Sequence, residues 1–361
     1  MTNKTEKKLA RKERIEELKA QAIETYEKIR ADLKNPVRKA VRARKVSLAS
    51  SRLIRFVVIF GLSFVIIFPL FQQLTLALRH PNDINDPLIV WIPETFSFLN
   101  FKIAGTMLNY WRALWNNIKV SSIVMVLQIA STALAGYAFS KLRFKGSEVL
   151  FWIVMITLIV PPQTLAIPKL VFFNNFDIFG IIKLIKGSGL KLTGVGKTSS
   201  FYIMAATGQG IRAALFIYLF KQFFRGLPVE LDESAQIDGA GVFRTFWSVM
   251  LPNARGVMIT VGLFAFVWQW NDVYFTRLFE VSDTAYPLLT AQLSQITERL
   301  PHYLKTYGMD SLVSEDLRGN EYFVSLISHT AAFLMMLPLL IGYLFVQRHF
   351  VEGIERTGIV G

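Results

Sequence analysis

FVVIFGLSFVIIFPLFQQLTLA, residues 56–77, runs for 22 positions without a charged side chain. A hydrocarbon layer about 30 Å thick takes ~20 helical residues at ~1.5 Å each. A soluble helix of this length would alternate polar and apolar faces, and this one does not. Five further apolar blocks follow, with Lys119, Arg212 and Asp272 as their only Lys, Arg, Asp or Glu: Ile118–Phe139, Val149–Ile167, Phe201–Phe220, Val257–Phe275 and Phe323–Val346. All are 19 to 24 residues long, which suits a bilayer with modest tilt. The expected fold is all-α, a polytopic membrane protein with six transmembrane helices. Pro161 and Pro162 remove two backbone donors from the third block and should kink or end it.

The rest of the composition fits that frame. Of 361 residues 52% are hydrophobic and none is cysteine, so disulfides, thiolate metal sites and cysteine nucleophiles are excluded. The net charge of +14 is concentrated at one end: residues 1–55 hold 17 Lys and Arg against 7 Asp and Glu. Beside an apolar block, that favours a cytoplasmic segment facing anionic membrane lipid rather than nucleic acid. Residues 9–33 carry Leu9, Ile15, Leu18, Ala22, Tyr26, Ile29 and Leu33 as a narrow apolar stripe among charges, an amphipathic helix. From Lys34 to Arg55 every charge is positive. The chain therefore divides into a basic extension, 1–55, and a transmembrane domain, 56–361. The first 50 residues are too polar for a cleaved signal peptide, so the first span does the targeting.

Loop charges set the orientation. With the basic end cytoplasmic, the 140–148 loop is cytoplasmic too and carries Lys141, Arg143 and Lys145. The acidic 276–322 loop falls outside. The 168–200 loop opposes the bias: Lys169, Lys183, Lys186, Lys191 and Lys197 stand against Asp177 alone, yet six spans place it outside.

The stretch from Gly226 to Pro252, GLPVELDESAQIDGAGVFRTFWSVMLP, reads as two short helices about a tight turn in the cytoplasm. Pro228 suits a first helical position. Glu230, Asp232 and Glu233 place negative charge at the positive end of the helix dipole. Gly239 and Gly241 supply the turn. The second helix carries Val242, Phe243, Phe246, Trp247 and Met250 and stops at Pro252. A hydrophobic helical elbow of this kind suits a groove on a soluble partner.

Its spacing resembles the EAA loop of bacterial ABC-importer permeases, in which Glu-Ala-Ala, three residues, Gly, nine residues and Ile-x-Leu-Pro follow in order. Here Glu233-Ser234-Ala235, then Asp238-Gly239-Ala240, then Val249-Met250-Leu251-Pro252 hold those places. Ser234 replaces an alanine, and Gly256 stands where proline is frequent. Pro161-Pro162-Gln163, Tyr137-Ala138-Phe139, Trp270-Asn271-Asp272 and the tail from Gln347 to Ile354 are similar to segments of the maltose-transporter type of sugar permease. The resemblance spans roughly residues 50–361. It implies a transport subunit of a bacterial inner membrane, not an enzyme, with both termini cytoplasmic. It implies a second homologous permease, a pair of ATPase subunits that use ATP and Mg, and an extracellular solute-binding protein. The solute would be a carbohydrate, and this chain would bind no cofactor or metal. Glu233, Ser234, Ala235, Asp238, Gly239, Ala240, Leu251 and Pro252 become the ATPase-coupling residues, with Glu233 the polar anchor and Gly239 the hinge.

Other polar groups keep two readings. Arg212 and Gln209 lie in the fourth block, where a charge is costly and faces a cavity, a partner or the solute. Gln128, Ser131 and Thr132 suit sugar hydroxyls or, equally, neighbouring backbone. Trp268, Trp270, Asn271 and Asp272 suit a sugar ring or an interfacial aromatic belt. Tyr286, Pro287, Leu288, Tyr303, Tyr307 and Asp310 are candidate contacts for a binding protein. Gly194-Val195-Gly196-Lys197-Thr198 ends like a phosphate-binding loop, but Lys191 holds the place of its first glycine. The histidines at 80, 302, 329 and 349 lack metal-ligand spacing. Rival functions are import of a polyamine or amino acid, ion-driven transport, which needs internal repeats and an intramembrane acid or proton site where the blocks hold almost no acids, and membrane enzymology.

Overall fold

The computed structural model describes residues 14, 16, 18–26, 36–81, 83, 93, 95–142, 144–306 and 320–358. The described residues are helical almost throughout and fall into two compact units, 1–71 and 72–361. In the first unit, residues 18–26 are helical within the expected amphipathic segment. The long helix α1, Pro36–Leu78, passes unbroken through the boundary at 55/56 that composition suggested. Polar and apolar stretches share one helix here, and Pro69 within the apolar stretch does not end it.

Among the described residues three helices are long and apolar enough to cross a membrane: Ser47–Leu78 within α1, α3 (Tyr110–Lys141) and Glu321–Arg348, the body of α15 (Glu321–Gly358). A fourth span is available if α10 (Val242–Asn253) and α11 (Arg255–Trp270), which meet at 82°, count as one. The third and fourth expected blocks are not single helices. α4 (Ser147–Ile156) ends five residues before Pro161, and a 3-10 turn from Pro162 leads into α5 (Ala166–Asn174). The fourth block is split into α7 (Ser199–Ala206) and α8 (Ala213–Gly226).

The split has a visible cause. Gly208 adopts φ +69°, with Gly208 N donating to Ala205 O and Gln209 N to Met204 O, a Schellman ending that stops α7. α3 adds side-chain donors to two carbonyls at this break. Ser131 Oγ donates to Ala205 O at 2.6 Å and Gln128 Nε2 to Ile211 O at 2.7 Å. Gly210 leaves room for that amide, since a Cβ there would lie 2.9 Å from Gln128 Cδ.

α3 is the axis of the second unit and packs on α7, α8 and α11. Its approach to α8 is close at Gly136, where a Cβ would fall 2.4 Å from Phe220 Cβ. α11 also packs on α15, which packs in turn on α2 (Leu99–Met107). Pro338 inside α15 cannot donate to Leu334 O, and Tyr110 Oη donates to that carbonyl at 3.2 Å instead. Trp270 Nε1 reaches the next carbonyl, Met335 O, at 3.3 Å.

Two substitutions test this packing. Gly136→Val should destabilise the detergent-solubilised protein by roughly 3 kcal/mol, because α3 and α8 must separate. Gly342→Ala, whose added carbon meets nothing within 4 Å, should leave thermal unfolding unchanged or slightly raised.

Candidate functional site

The elbow is built from α9 (Glu230–Ile237) and α10, joined at Gly239. Pro228 precedes α9 by two residues, so it introduces the helix rather than opening it, and its carbonyl accepts from Leu231 N. Gly239 N donates to Gln236 O at 3.0 Å and Ala240 N to Ala235 O at 2.9 Å, a second Schellman ending. Gly239 has φ +75° and no atom within 4 Å of a would-be Cβ, so the glycine is needed for its backbone alone. Gly241, by contrast, is extended at φ −71°. α10 does not stop at Pro252. A π turn over Phe246–Met250 shifts the hydrogen-bond ladder just ahead of the proline, and the helix continues to Asn253.

The elbow has two apolar sides. Thr245, Phe246 and Met250 are buried, with the Phe246 ring 5.2 Å from that of Tyr137. Val229, Ile237, Val242, Phe243 and Trp247 are exposed, and Glu233 is exposed among them. Ser234, Asp238, Gly239 and Pro252 are exposed as well, Ala240 and Leu251 half-buried and Ala235 buried. One lysine ties the elbow down. Lys141, the last residue of α3, lies 3.0 Å from Asp232 Oδ2 and donates to Leu227 O at 3.2 Å. It thereby joins the ends of α3 and α8 to α9. Nearby, Lys221 on α8 is buried with Nζ 3.4 Å from the Phe151 ring centroid and 3.9 Å from Glu148 Oε1.

The candidate solute-contact residues separate into two groups. Arg212 and Gln209 sit exposed on the α7–α8 break, Arg212 at φ +57° with its guanidinium 5.8 Å from the Trp268 ring. Trp268 is half-buried and stacked between Phe216 and Phe264. Asn271 is exposed and donates to Val267 O. The other residues are turned inward. Gln128 is 1% exposed and bonded to backbone, and Trp270 is equally buried in the core. Asp272 caps α12 (Tyr274–Leu278), accepting from Phe275 N and Thr276 N. The cavity beside it measures about 10 Å³, room for one water.

The remaining motifs resolve similarly. Gly194 N donates to Phe279 O and Gly196 N to Val281 O, so the phosphate-loop look-alike spends its amides on backbone. Part of the 276–322 loop is folded on the bundle. In α14 (Ile296–Thr306), Ile296, Leu300 and Leu304 are buried, as are Pro287 and Leu288 before it. Tyr307 and Asp310 lie outside the described residues. Away from the apolar blocks, burial and then Tyr202 push the Tyr286 phenol above its ordinary pKa.

Residues 128–356 match the family described as binding-protein-dependent transport system inner membrane component. The chain belongs to that family. The permease is 27% identical over 309 residues to the maltodextrin transport system permease of Streptococcus pneumoniae, covering 85% of this chain and 94% of the other. It is 24% identical over 303 residues to the arabinooligosaccharides transport system permease of Halalkalibacterium halodurans, covering 83% and 93%. In fold it resembles a chain of a bacterial ABC transporter involved in import of the acidic polysaccharide alginate. That likeness has TM-score 0.61 at 18% identity and covers 84% of the permease and 98% of the solved chain.

Sequence reading missed Lys141, Lys221 and Gly208. Lys141 counted only as a loop charge, because nothing in the sequence sets it opposite the acidic first turn of α9. If the Lys141–Asp232 bridge fastens the elbow, a double-mutant cycle with Lys141→Met and Asp232→Asn should return a coupling of about 1 kcal/mol in thermal unfolding. Additive losses would show the pair to be incidental.

Proposed function

We propose that this permease is one of two membrane subunits of an ATP-driven importer for a carbohydrate, with an oligosaccharide as the solute. The observation that carries the reading is the elbow, with exposed Val229, Ile237, Phe243 and Trp247 set around exposed Glu233 and fastened to α3 through Lys141. Such a surface fits a groove on an ATPase subunit. Burying two Phe- or Leu-sized groups there is worth ~3–6 kcal/mol, enough for a firm and reversible joint. The carbohydrate class is supported by the relatives named for maltodextrin and arabinooligosaccharide transport.

In this mechanism α9 is the coupling helix. Closure of the ATPase pair displaces α9 and α10 as a lever, and Lys141 passes the displacement to α3 and α8. Gly239 sets the lever angle, Glu233 is the polar anchor, and Leu251 and Pro252 lead into α11. A second homologous permease completes the pathway and an extracellular binding protein delivers the solute. ATP and Mg are used by the ATPase pair alone. Six spans, both termini in the cytoplasm and residence in a bacterial inner membrane complete the topology. Arg212, Gln209, Trp268 and Asn271 are the solute-facing candidates, being exposed where α7 and α8 part. Gln128, Trp270 and Asp272 act one step behind them, through the backbone they hold. The same architecture would serve a polyamine or an amino acid, so solute class is a separate outcome of the test.

Gly239→Asp should leave the permease in the membrane at normal abundance while lowering solute-stimulated ATPase activity of the assembled transporter by about tenfold or more, ~1.4 kcal/mol of coupling. Normal stimulation in that variant refutes the coupling assignment. Stimulation of the unaltered complex by a polyamine or amino acid, and not by oligosaccharides, refutes the solute class alone.

A further inference from the structure

The basic 168–200 loop, which opposes the charge bias of its neighbours, is built as a hairpin with an apolar tip. Its base is closed by paired bonds, Phe176 N to Leu190 O and Leu190 N to Phe176 O, both 2.9 Å. Gly189 packs so tightly on the opposite strand that a Cβ would lie 2.9 Å from the Asn175 carbonyl carbon. Within the hairpin, Phe179 and Gly180 have φ +50° and +86° and lead into α6, Ile181–Lys186, which Gly187 terminates at φ +74°.

This firm scaffold presents apolar side chains outward. Phe179 is 99% exposed, Leu184 87%, Ile185 76% and Ile181 52%. Ile181, Leu184 and Ile185 stand at i, i+3 and i+4 and share one face of α6. Lys183 and Lys186 occupy the opposite side and are exposed. Asp177, the sole acid of the 168–200 loop, accepts from Ile182 N at 2.8 Å and Lys183 N at 3.4 Å, so its carboxylate serves the start of the helix.

We propose that residues 178–186 form an interfacial anchor, with Phe179, Ile181, Leu184 and Ile185 laid into the edge of the acyl layer and Lys183 and Lys186 set on the phosphates of anionic lipid. The charge selects this occupant. Exposed Lys183 and Lys186, beside an acid already committed to backbone, complement an anionic headgroup layer, and lysine stems are long enough to lie along apolar surface while the ammonium stays at the phosphates. At six residues α6 is too short to cross a bilayer and suited to lie in its surface. The lipid is close at hand, because the hairpin follows the apolar stretch of α4 within one short helix. The inference rests on the chain being a membrane component and is independent of its solute.

The absence of cysteine makes the test direct. Leu184→Cys in the full-length permease gives a single thiol for an environment-sensitive nitrobenzoxadiazole label. The labelled protein is reconstituted in vesicles of phosphatidylcholine with and without phosphatidylglycerol. Blue-shifted emission is expected in the anionic vesicles, with roughly twofold or greater quenching by lipids that carry a nitroxide near the headgroup. Adding Lys183→Glu and Lys186→Glu should cut the anchored population by roughly 25-fold or more, from about fivefold per lysine. If that variant misfolds, the comparison of anionic with neutral vesicles on the unaltered lysines carries the same information. Water-like emission in anionic vesicles overturns the proposal. So does burial indifferent to lipid charge, or burial that arises only when a soluble acidic protein is added.

Discussion

In hydrocarbon every peptide N–H and C=O must find a partner inside the protein, and the permease depends on meeting that demand where its helices break. At the interruption between α7 and α8, Ser131 and Gln128 of α3 donate to Ala205 O and Ile211 O. The proline in α15 cannot donate to Leu334 O, and Tyr110 does so instead. The donors on α3 and at its N-terminal end thus hold two broken elements in place. That is a physical reason for a polar Gln128 in the middle of an otherwise apolar helix.

The same helix carries the elbow. Its last residue, Lys141, grips α9 and the end of α8, so one rod runs from the backbone donors at Gln128 and Ser131 to the lever. Gly136 lies between those points, and its missing side chain lets α8 close on the rod. In the proposed mechanism a displacement at α9 reaches the α7–α8 break, where the Arg212 guanidinium lies 5.8 Å from the Trp268 ring. Rigidity along α3 and discontinuity in its neighbour are complementary: one transmits and the other yields.

Much of this was legible in the chain itself. Uncharged blocks of bilayer length require spanning helices, because no other element satisfies its backbone there. Gly239 between an acidic helix start and an aromatic helix requires a turn, and the structure has it as a Schellman ending. The break announced by Pro161 and Pro162 is present, and what stayed hidden was the interruption inside the fourth block. Gly208 and Gly210 in the fourth block have too little effect on hydropathy to announce a break, and the block reads as continuous until Gln128 is seen bonded to Ile211 O. Pro252 misled in the other direction, since the π turn before it absorbs the missing donor.

The sequence alone determined that this chain is a helical membrane protein with a two-helix elbow turning at Gly239, because local periodicity, charge and glycine placement act through neighbours in the chain. Tertiary structure decided which polar residues face outward and which serve the backbone. Trp270 and Asp272, adjacent in sequence to exposed Asn271, are turned into the core by partners on α15 and α12. Lys141 became the tie of the elbow because Asp232, 91 positions along the chain, lies 3.0 Å away. Contacts at such separations depend on how helices pack, which no window of residues records.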